Sequence, residues 1–382
     1  MSEMKDEVIE QPSLGSKIKK IAKNNVVLIV AIFAAITTSF IIPPDNQYIE
    51  YFDFKTLSCL FCVLAVVCAL RNIKFFYTLA AAIVRKFKNA KIAILVLVYI
   101  TFIGSMLIAN DMALLTFLPL GYFILHTTGK EKYMAFTFIM QNIAANLGGM
   151  LTPFGNPQNL YLYSKFNIPD GEFVSIMLPP FILAVVMITA CFLFFVKSEP
   201  LQIDEKSIRL PMGRVTIYLT LFAMAIMMVF RFMPYWIGLI IIPAVLLVMD
   251  RKALMQVDYG LLFTFVFFFI FAGNMGRIEI VRDFFSYLLG INTLIFSAVS
   301  CQFISNVPSA ILLSQFTDNY RELLLGVNIG GAGTLIASLA SLITFKEYTR
   351  HNPGHTASYI LKFSAFNFAF LITLAVFCYM IV

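Results

Sequence analysis

Charge is what this chain of 382 residues has least of. Asp, Glu, Lys and Arg together make up 13%, there are 3 His and 1 Trp, and 60% of the residues are apolar. A soluble globular domain carries about twice that charge and a smaller apolar share. With a mean hydropathy of +0.86, the composition implies a polytopic membrane protein. No phosphate-cradling glycine loop, no Cys/His cluster with metal spacing and no plausible nucleophile–base pair appears, which speaks against an ATP-driven pump or an enzyme. The three histidines, His126, His351 and His355, fall near charged loop ends and read as solvated side chains, not as a proton relay. Cys59 and Cys62 form a C-x-x-C, but inside an apolar helix, where small soft packing residues are the simpler reading. The net charge of +7 is no nucleic-acid signal, because the basic residues lie in short loops, where they set orientation. No Lys or Arg is expected at mid-membrane depth. An anion there would be held by backbone N–H groups, Asn, Ser and Thr.

What the apolar runs do contain is polar, and it comes twice. Ile108-Ala109-Asn110-Asp111 is followed by Asn146-Leu147-Gly148-Gly149-Met150-Leu151-Thr152-Pro153-Phe154-Gly155-Asn156-Pro157. Ile304-Ser305-Asn306-Val307-Pro308 is followed by Asn328-Ile329-Gly330-Gly331-Ala332-Gly333-Thr334. Irregular polar backbone at membrane depth is tolerated only where protein buries it or a cavity solvates it. The same device in both halves points to a binding site between internal repeats.

Taken in order, residues 1–25 form a basic tail without a cleavable signal, expected in the cytoplasm. Spans near 26–42 and 55–71 follow, then an amphipathic interfacial stretch over 73–90. Residues 91–126 are apolar with Asn110-Asp111 at their centre and basic flanks on both sides. That fits a hairpin with its tip in the membrane, or two crossings. Residues 133–164 form a helix broken at Thr152–Pro157, and 173–196 close a first repeat of 26–197. A polar cytoplasmic linker, 198–213, joins it to a second repeat, 214–382. This has spans near 214–231, 235–250 and 259–275, with Gly273-Asn274-Met275-Gly276 read as a helix stop. An interfacial stretch over 277–290, a hairpin over 292–318, a broken helix over 320–348 and a last span from 356 complete it. The charge pattern turns the halves opposite ways, with nine full crossings, the N-terminus inside and the C-terminus outside. The expected fold is therefore all-α, two inverted-topology repeats, each with a re-entrant hairpin and a broken transmembrane helix.

Helix ends inside the membrane offer free N–H groups to an anion and free carbonyls to a cation. Hard cations take oxygen ligands, and Asn110, Asp111, Asn156, Ser305, Asn306 and Thr334 supply them. Asp111 is the one carboxylate far from both ends of an apolar run. A charge there costs several kcal/mol and is usually functional. It suits a Na⁺ ligand, a proton carrier or a cap on the second hairpin arm.

These motifs, in this order and doubled, resemble the ion transporter superfamily, which includes divalent-anion/sodium symporters, citrate permeases, arsenite permeases and some sodium/proton antiporters. The resemblance rests on Gly104–Pro119, Gly148–Asn159, Ser305–Leu313 and Gly330–Leu342 together. Gly104-Ser105-Met106 is similar to the symporters, which carry Ser-Asn-Thr at both tips. Here Ala109-Asn110-Asp111, Asn306-Val307-Pro308 and Ser338-Leu339-Ala340-Ser341-Leu342 look more like arsenite permeases. The Thr152–Pro157 segment looks more like antiporters and general anion permeases. The resemblance implies a secondary transporter of a small carboxylate or oxyanion driven by Na⁺ or H⁺, an elevator mechanism, a homodimer and a prokaryotic inner membrane. Its alternatives are sodium/proton antiport and arsenite efflux. No cofactor is implied beyond a candidate Na⁺ near Asn110, Asp111, Ser305 and Asn306. The substrate-binding set expected is Asn110, Thr152, Asn156, Pro157, Ser305, Asn306, Gly331 and Thr334. The ion-coupling set is Asp111, Ser105, Gly149, Asn146, Asn328 and Gly330.

Overall fold

The computed structural model describes residues 26–201 and 209–382. The tail expected over 1–25 and the linker stretch 202–208 lie outside them. The described residues are helical throughout, with no strand and one isolated bridge between Asn89 and Pro200. In chain order the helices are α1 Val26–Ile41, α2 Phe54–Asn72, α3 Phe75–Val84, α4 Ala90–Ile108, α5 Asn110–Thr127, α6 Met134–Gly148, α7 Pro157–Lys165 and α8 Asp170–Phe195. They continue with α9 Met212–Val229, α10 Tyr235–Met249, α11 Arg251–Met255, α12 Tyr259–Arg277, α13 Glu279–Ile304, α14 Asn306–Leu313, α15 Tyr320–Ile329, α16 Leu339–His351 and α17 Thr356–Ile381.

Seven helices among the described residues are long and apolar enough to cross a membrane: α2, α4, α8, α9, α12, α13 and α17, the last counted with the turn before it. That count differs from nine crossings for two reasons. α1 and α10, at 16 and 15 residues, are apolar but short. The two interrupted segments split into pieces of 9 to 15 residues. α13 is itself two helices, since the chain leaves helical geometry at Asn292, whose Oδ1 accepts from Ile295 N–H and so starts the second piece. α3 stops at Val84, well short of residue 90, because Asn89 caps the next helix by accepting from Lys91 and Ile92.

Two groups of helices pack. In the first, α2 is the axis, 72% buried over its apolar window where no other such helix exceeds 50%. It packs on α9, α10 and α11, while α1 lies along α12. Gly273-Asn274 is not a helix stop: α12 runs on to Arg277. Gly273 is small because the Tyr51 ring sits where a Cβ would stand, 2.4 Å away. Asn274 donates from inside the helix to Tyr48 and Thr38, stitching α12 to α1. In the second group, α4, α5 and α6 pack together, as do α13, α14 and α15. The two sets interlock, since α16 lies on α5 and α6 while α7 lies on α14 and α15.

A polar strap ties the feet of α4 and α5. Ala90 N–H donates to the Glu199 carbonyl, and Leu201 N–H to that of Lys88. The Glu199 carboxylate takes Lys130, Lys132 and the Tyr133 hydroxyl. These three donors hold its carboxyl down to about 2, from an ordinary value of 4.5. A depressed pKa stabilises the fold above the unfolded value and loses that contribution as pH falls through the folded one. Glu199→Gln should therefore lower Tm by about 2 °C near neutrality. The gap to wild type should close between pH 4.5 and about 2, followed by thermal unfolding in detergent. A gap unchanged by acid would rule out the strap.

Candidate functional site

Both interruptions of the apolar hairpin runs use the same backbone device. Ala109, between α4 and α5, has φ 66° and ψ 150°. Ser305, between α13 and α14, has φ 74° and ψ 158°. This region is nearly reserved for glycine and costs about 1–3 kcal/mol for other residues. The same three contacts hold each tip. Asn110 N–H donates to the Gly155 carbonyl at 3.0 Å, and Asn306 N–H to that of Ala337 at 2.9 Å. Each Asn side-chain oxygen accepts the next N–H, of Asp111 or Val307, at 2.9 Å. The Thr152 hydroxyl donates to the Met106 carbonyl and the Thr334 hydroxyl to that of Gln302, each four residues before its tip Asn.

The glycines of the breaks are explained by close approach. A Cβ on Gly148 would stand 2.2 Å from the Phe102 carbonyl oxygen and 2.7 Å from Ser105 Oγ. One on Gly330 would stand 2.9 Å from Ala298 Cα and from Cys301 Sγ. The helices thus touch backbone to backbone at equivalent points of the two halves.

Two buried asparagines join the halves. Asn146 Oδ1 accepts from Asn110 Nδ2 at 3.1 Å and from Ser338 Oγ at 2.8 Å. Asn328 Oδ1 accepts from Asn156 Nδ2 at 3.2 Å and from Gln158 Nε2 at 3.4 Å, while its Nδ2 donates to Asn159 Oδ1. Each hub therefore sits on one interrupted helix and holds the residue that opens the far piece of the other, Ser338 before α16 or Asn156 before α7. Asn306 joins the same place: the Cβ position of Gly331 is 3.2 Å from Asn306 Nδ2 and 3.6 Å from Asn146 Oδ1.

Asn110, Asn146, Asn156, Ser305, Asn306, Asn328, Gly330 and Gly331 are thus brought together, with Gly149 packed against Asn156 Oδ1 and Gly155 O. Pro157 opens α7, where its missing N–H costs nothing. Thr152 and Thr334 are committed to the hairpin arms and Ser105 Oγ to the Phe102 carbonyl. Asp111 lies in the first turn of α5, and its side chain does not cap that helix. Its Oδ1 is buried and makes no hydrogen bond among the described residues.

Sequence reading missed the amides that close the breaks. Asn159 Nδ2 donates to the carbonyls of Gly149, Met150 and Thr152. Gln302 Nε2 donates to those of Gly330 and Ala332, and its Oε1 accepts from Thr334 N–H. Asn142 continues the polar path to Asn367 of α17. The available signal was an amide inside an apolar helix within one turn of a recognised motif residue. Arg71, in the last turn of α2, also reaches this region: its Nη1 lies 3.8 Å from Met112 Sδ, one residue beyond Asp111. No cluster of three His, Cys, Asp or Glu exists among the described residues. The donor set is oxygen and amide, suited to a hard cation and not to a transition metal. A cavity of about 350 Å³ lined by Asp53, Tyr161, Lys165 and Gln315 lies at the other end of α7.

The citrate transporter family model matches residues 17–319. The chain belongs to the citrate transporter family. It is 33% identical over 295 residues to an uncharacterized transporter of Methanocaldococcus jannaschii, covering 77% of this chain and 81% of that protein. It is 26% identical over 334 residues to the inner membrane protein YbiR of Escherichia coli, covering 82% and 86%. The matched range contains both tips and all of the first interrupted helix. The second interrupted helix, α15 onward, begins as the match ends.

The hub role has a direct test. Asn328→Ala takes a partner from two buried donors, on Asn156 and Gln158, and from two acceptors, Asn159 Oδ1 and the Leu324 carbonyl, and should cost about 2–4 kcal/mol. Ser341→Ala removes a buried hydroxyl that has no partner among the described residues and should be neutral or stabilising. Chemical unfolding in detergent compares them; an Asn328→Ala protein as stable as Ser341→Ala would remove Asn328 as a hub.

Proposed function

We propose that this member of the citrate transporter family is a secondary active transporter of a small anion, a carboxylate or oxyanion, driven by Na⁺ or H⁺ through Asp111. Citrate is the first cargo to test, since the family carries its name. One observation carries the coupling role: among the described residues Asp111 neither caps its helix nor finds a donor for Oδ1. A buried carboxylate left open in this way needs a cation or a proton. The same observation favours sodium/proton antiport as the second reading.

In this proposal the two halves are inverted repeats, α4/α5 and α13/α14 are re-entrant hairpins, and the cargo sits between their tips. Support comes from the matched backbone at Ala109 and Ser305 and from the reciprocal Asn146 and Asn328 contacts. The α4–α7 and α13–α16 set would travel against the α2-centred group as an elevator, in a homodimer. The membrane is taken as the inner membrane of a prokaryote, with the N-terminus inside and the C-terminus outside.

Two measurements follow. Cysteines at Lys130 and Asp318 should label from opposite sides of the membrane; labelling from one side would sink the inverted repeats. In proteoliposomes offered labelled anions under imposed Na⁺ or pH gradients, Asp111→Asn should abolish uphill accumulation while folding persists. Residual flux that no longer varies with pH identifies the proton as partner. Residual flux that still needs Na⁺, with weaker affinity, identifies a Na⁺ ligand. Uphill transport at wild-type ion dependence would refute the role of Asp111.

A further inference from the structure

Arg71 is a half-buried cation with no oxygen partner among the described residues. It stands in the last turn of α2, the axis of the first helix group, and its guanidinium donates to sulfur, Met112 Sδ at 3.8 Å and Cys68 Sγ at 4.0 Å. Among the described residues it makes no ion pair. The other arginines near polar loops do better. Arg277 holds the Asp45 carboxylate, and Arg231 donates to the Tyr163 carbonyl. Carboxylates in the loop beyond α10 are already engaged. Asp250 accepts from Asn72 and Ala253 N–H, and Asp258 from Leu261 N–H. A guanidinium presents five donors in a fixed plane, and thioether and thiol sulfur are weak acceptors. Leaving such a group partly desolvated and unmatched is costly unless something fills it.

Its position says what fills it. Met112 lies in the first turn of α5, two residues past Asn110 and next to Asp111. The guanidinium therefore reaches the first turn of α5 through the Met112 side chain, from a helix of the other packed group. We propose that Arg71 binds a carboxylate or oxyanion group of the cargo, bidentate through its guanidinium, from the α2 side of the site. It is a specificity-determining residue that the amide shell lacks: amides and hydroxyls recognise shape and oxygen, whereas the planar fork selects a full negative charge. This rests on the anion reading given above and adds where the charge is read.

The test uses the full chain in proteoliposomes, with labelled citrate and succinate as probes and uncharged arsenous acid as the neutral comparison. Arg71→Gln should raise KM for both carboxylates about tenfold or more with a much smaller change in Vmax. Arg71→Lys, which keeps the charge but not the fork, should raise it less. Thermal unfolding in detergent gives a readout independent of flux: citrate should raise Tm in the wild type and not in Arg71→Gln. If Arg71→Gln does not fold, Arg71→Lys decides, and an unchanged KM overturns the proposal. Unchanged KM and unchanged citrate stabilisation in Arg71→Gln overturn Arg71 alone and leave anion transport standing. If the double variant R71Q/D111N transports better than either single one, Arg71 serves as the counter-ion of Asp111 and the proposal falls. Should the wild type bind neither carboxylate and move arsenous acid instead, the anion reading and the role of Arg71 fall together.

Discussion

A helix interrupted inside an apolar medium leaves carbonyls and N–H groups with no water to take them, each costing several kcal/mol if left unpaired. In this chain that debt is met by side-chain amides. Asn159 closes the first break, Gln302 closes the second, and Asn146 and Asn328 bind each break to the other. The rest of the arrangement depends on this. The glycines at 148 and 330 can bring backbones into contact only because the breaks have fixed shapes, and the tips hold their unfavourable φ only because Gly155 and Ala337 present carbonyls to Asn110 and Asn306. The four segments are accordingly one hydrogen-bonded object, not four loops that happen to meet.

That object is symmetric in backbone and asymmetric in chemistry. Ser105 under Gly148 answers to Cys301 under Gly330, and Asn156 opening α7 answers to Ser338 opening α16. Met106 answers to Gln302, so the second break is sealed from its own hairpin arm while the first is sealed from α7. Asp111 answers to Val307. The single carboxylate belongs to one half only, which is the arrangement expected when one half handles charge and the other completes the shell.

What could be read from the residues follows the distinction between local and tertiary encoding. Membrane class and the transporter family were legible because they rest on composition and on contiguous motifs. The helix interruptions were readable because Gly, Pro and Asn inside apolar runs act on their own neighbours. Gln302, Asn159 and Asn142 were not, since an isolated amide in a helix reveals its partner only when another segment is brought to it. Gly273 looked like a stop because glycine often is one; the reason for it, the Tyr51 ring, lies more than two hundred residues away in the chain. Arg71 ends the span read over 55–71, where a basic residue usually signals orientation. Only its lack of an oxygen partner among the described residues and its contact with Met112 mark it out.

The neutral shell bears on how movement would be coupled. Amides, hydroxyls and backbone can change surroundings without uncovering net charge, so on the proposed function Asp111 is the group of this core that would resist relocation within the membrane. An ionised carboxylate with an open oxygen is costly there, and a bound cation or a proton removes that cost. An anionic cargo alone would add to it. On the proposed function, then, the empty and fully loaded forms differ from the half-loaded one in electrostatics before any difference in shape. On the same proposal Arg71, on the other helix group, keeps its charge out of this balance: it would meet the cargo at the boundary and stay behind as the core moved.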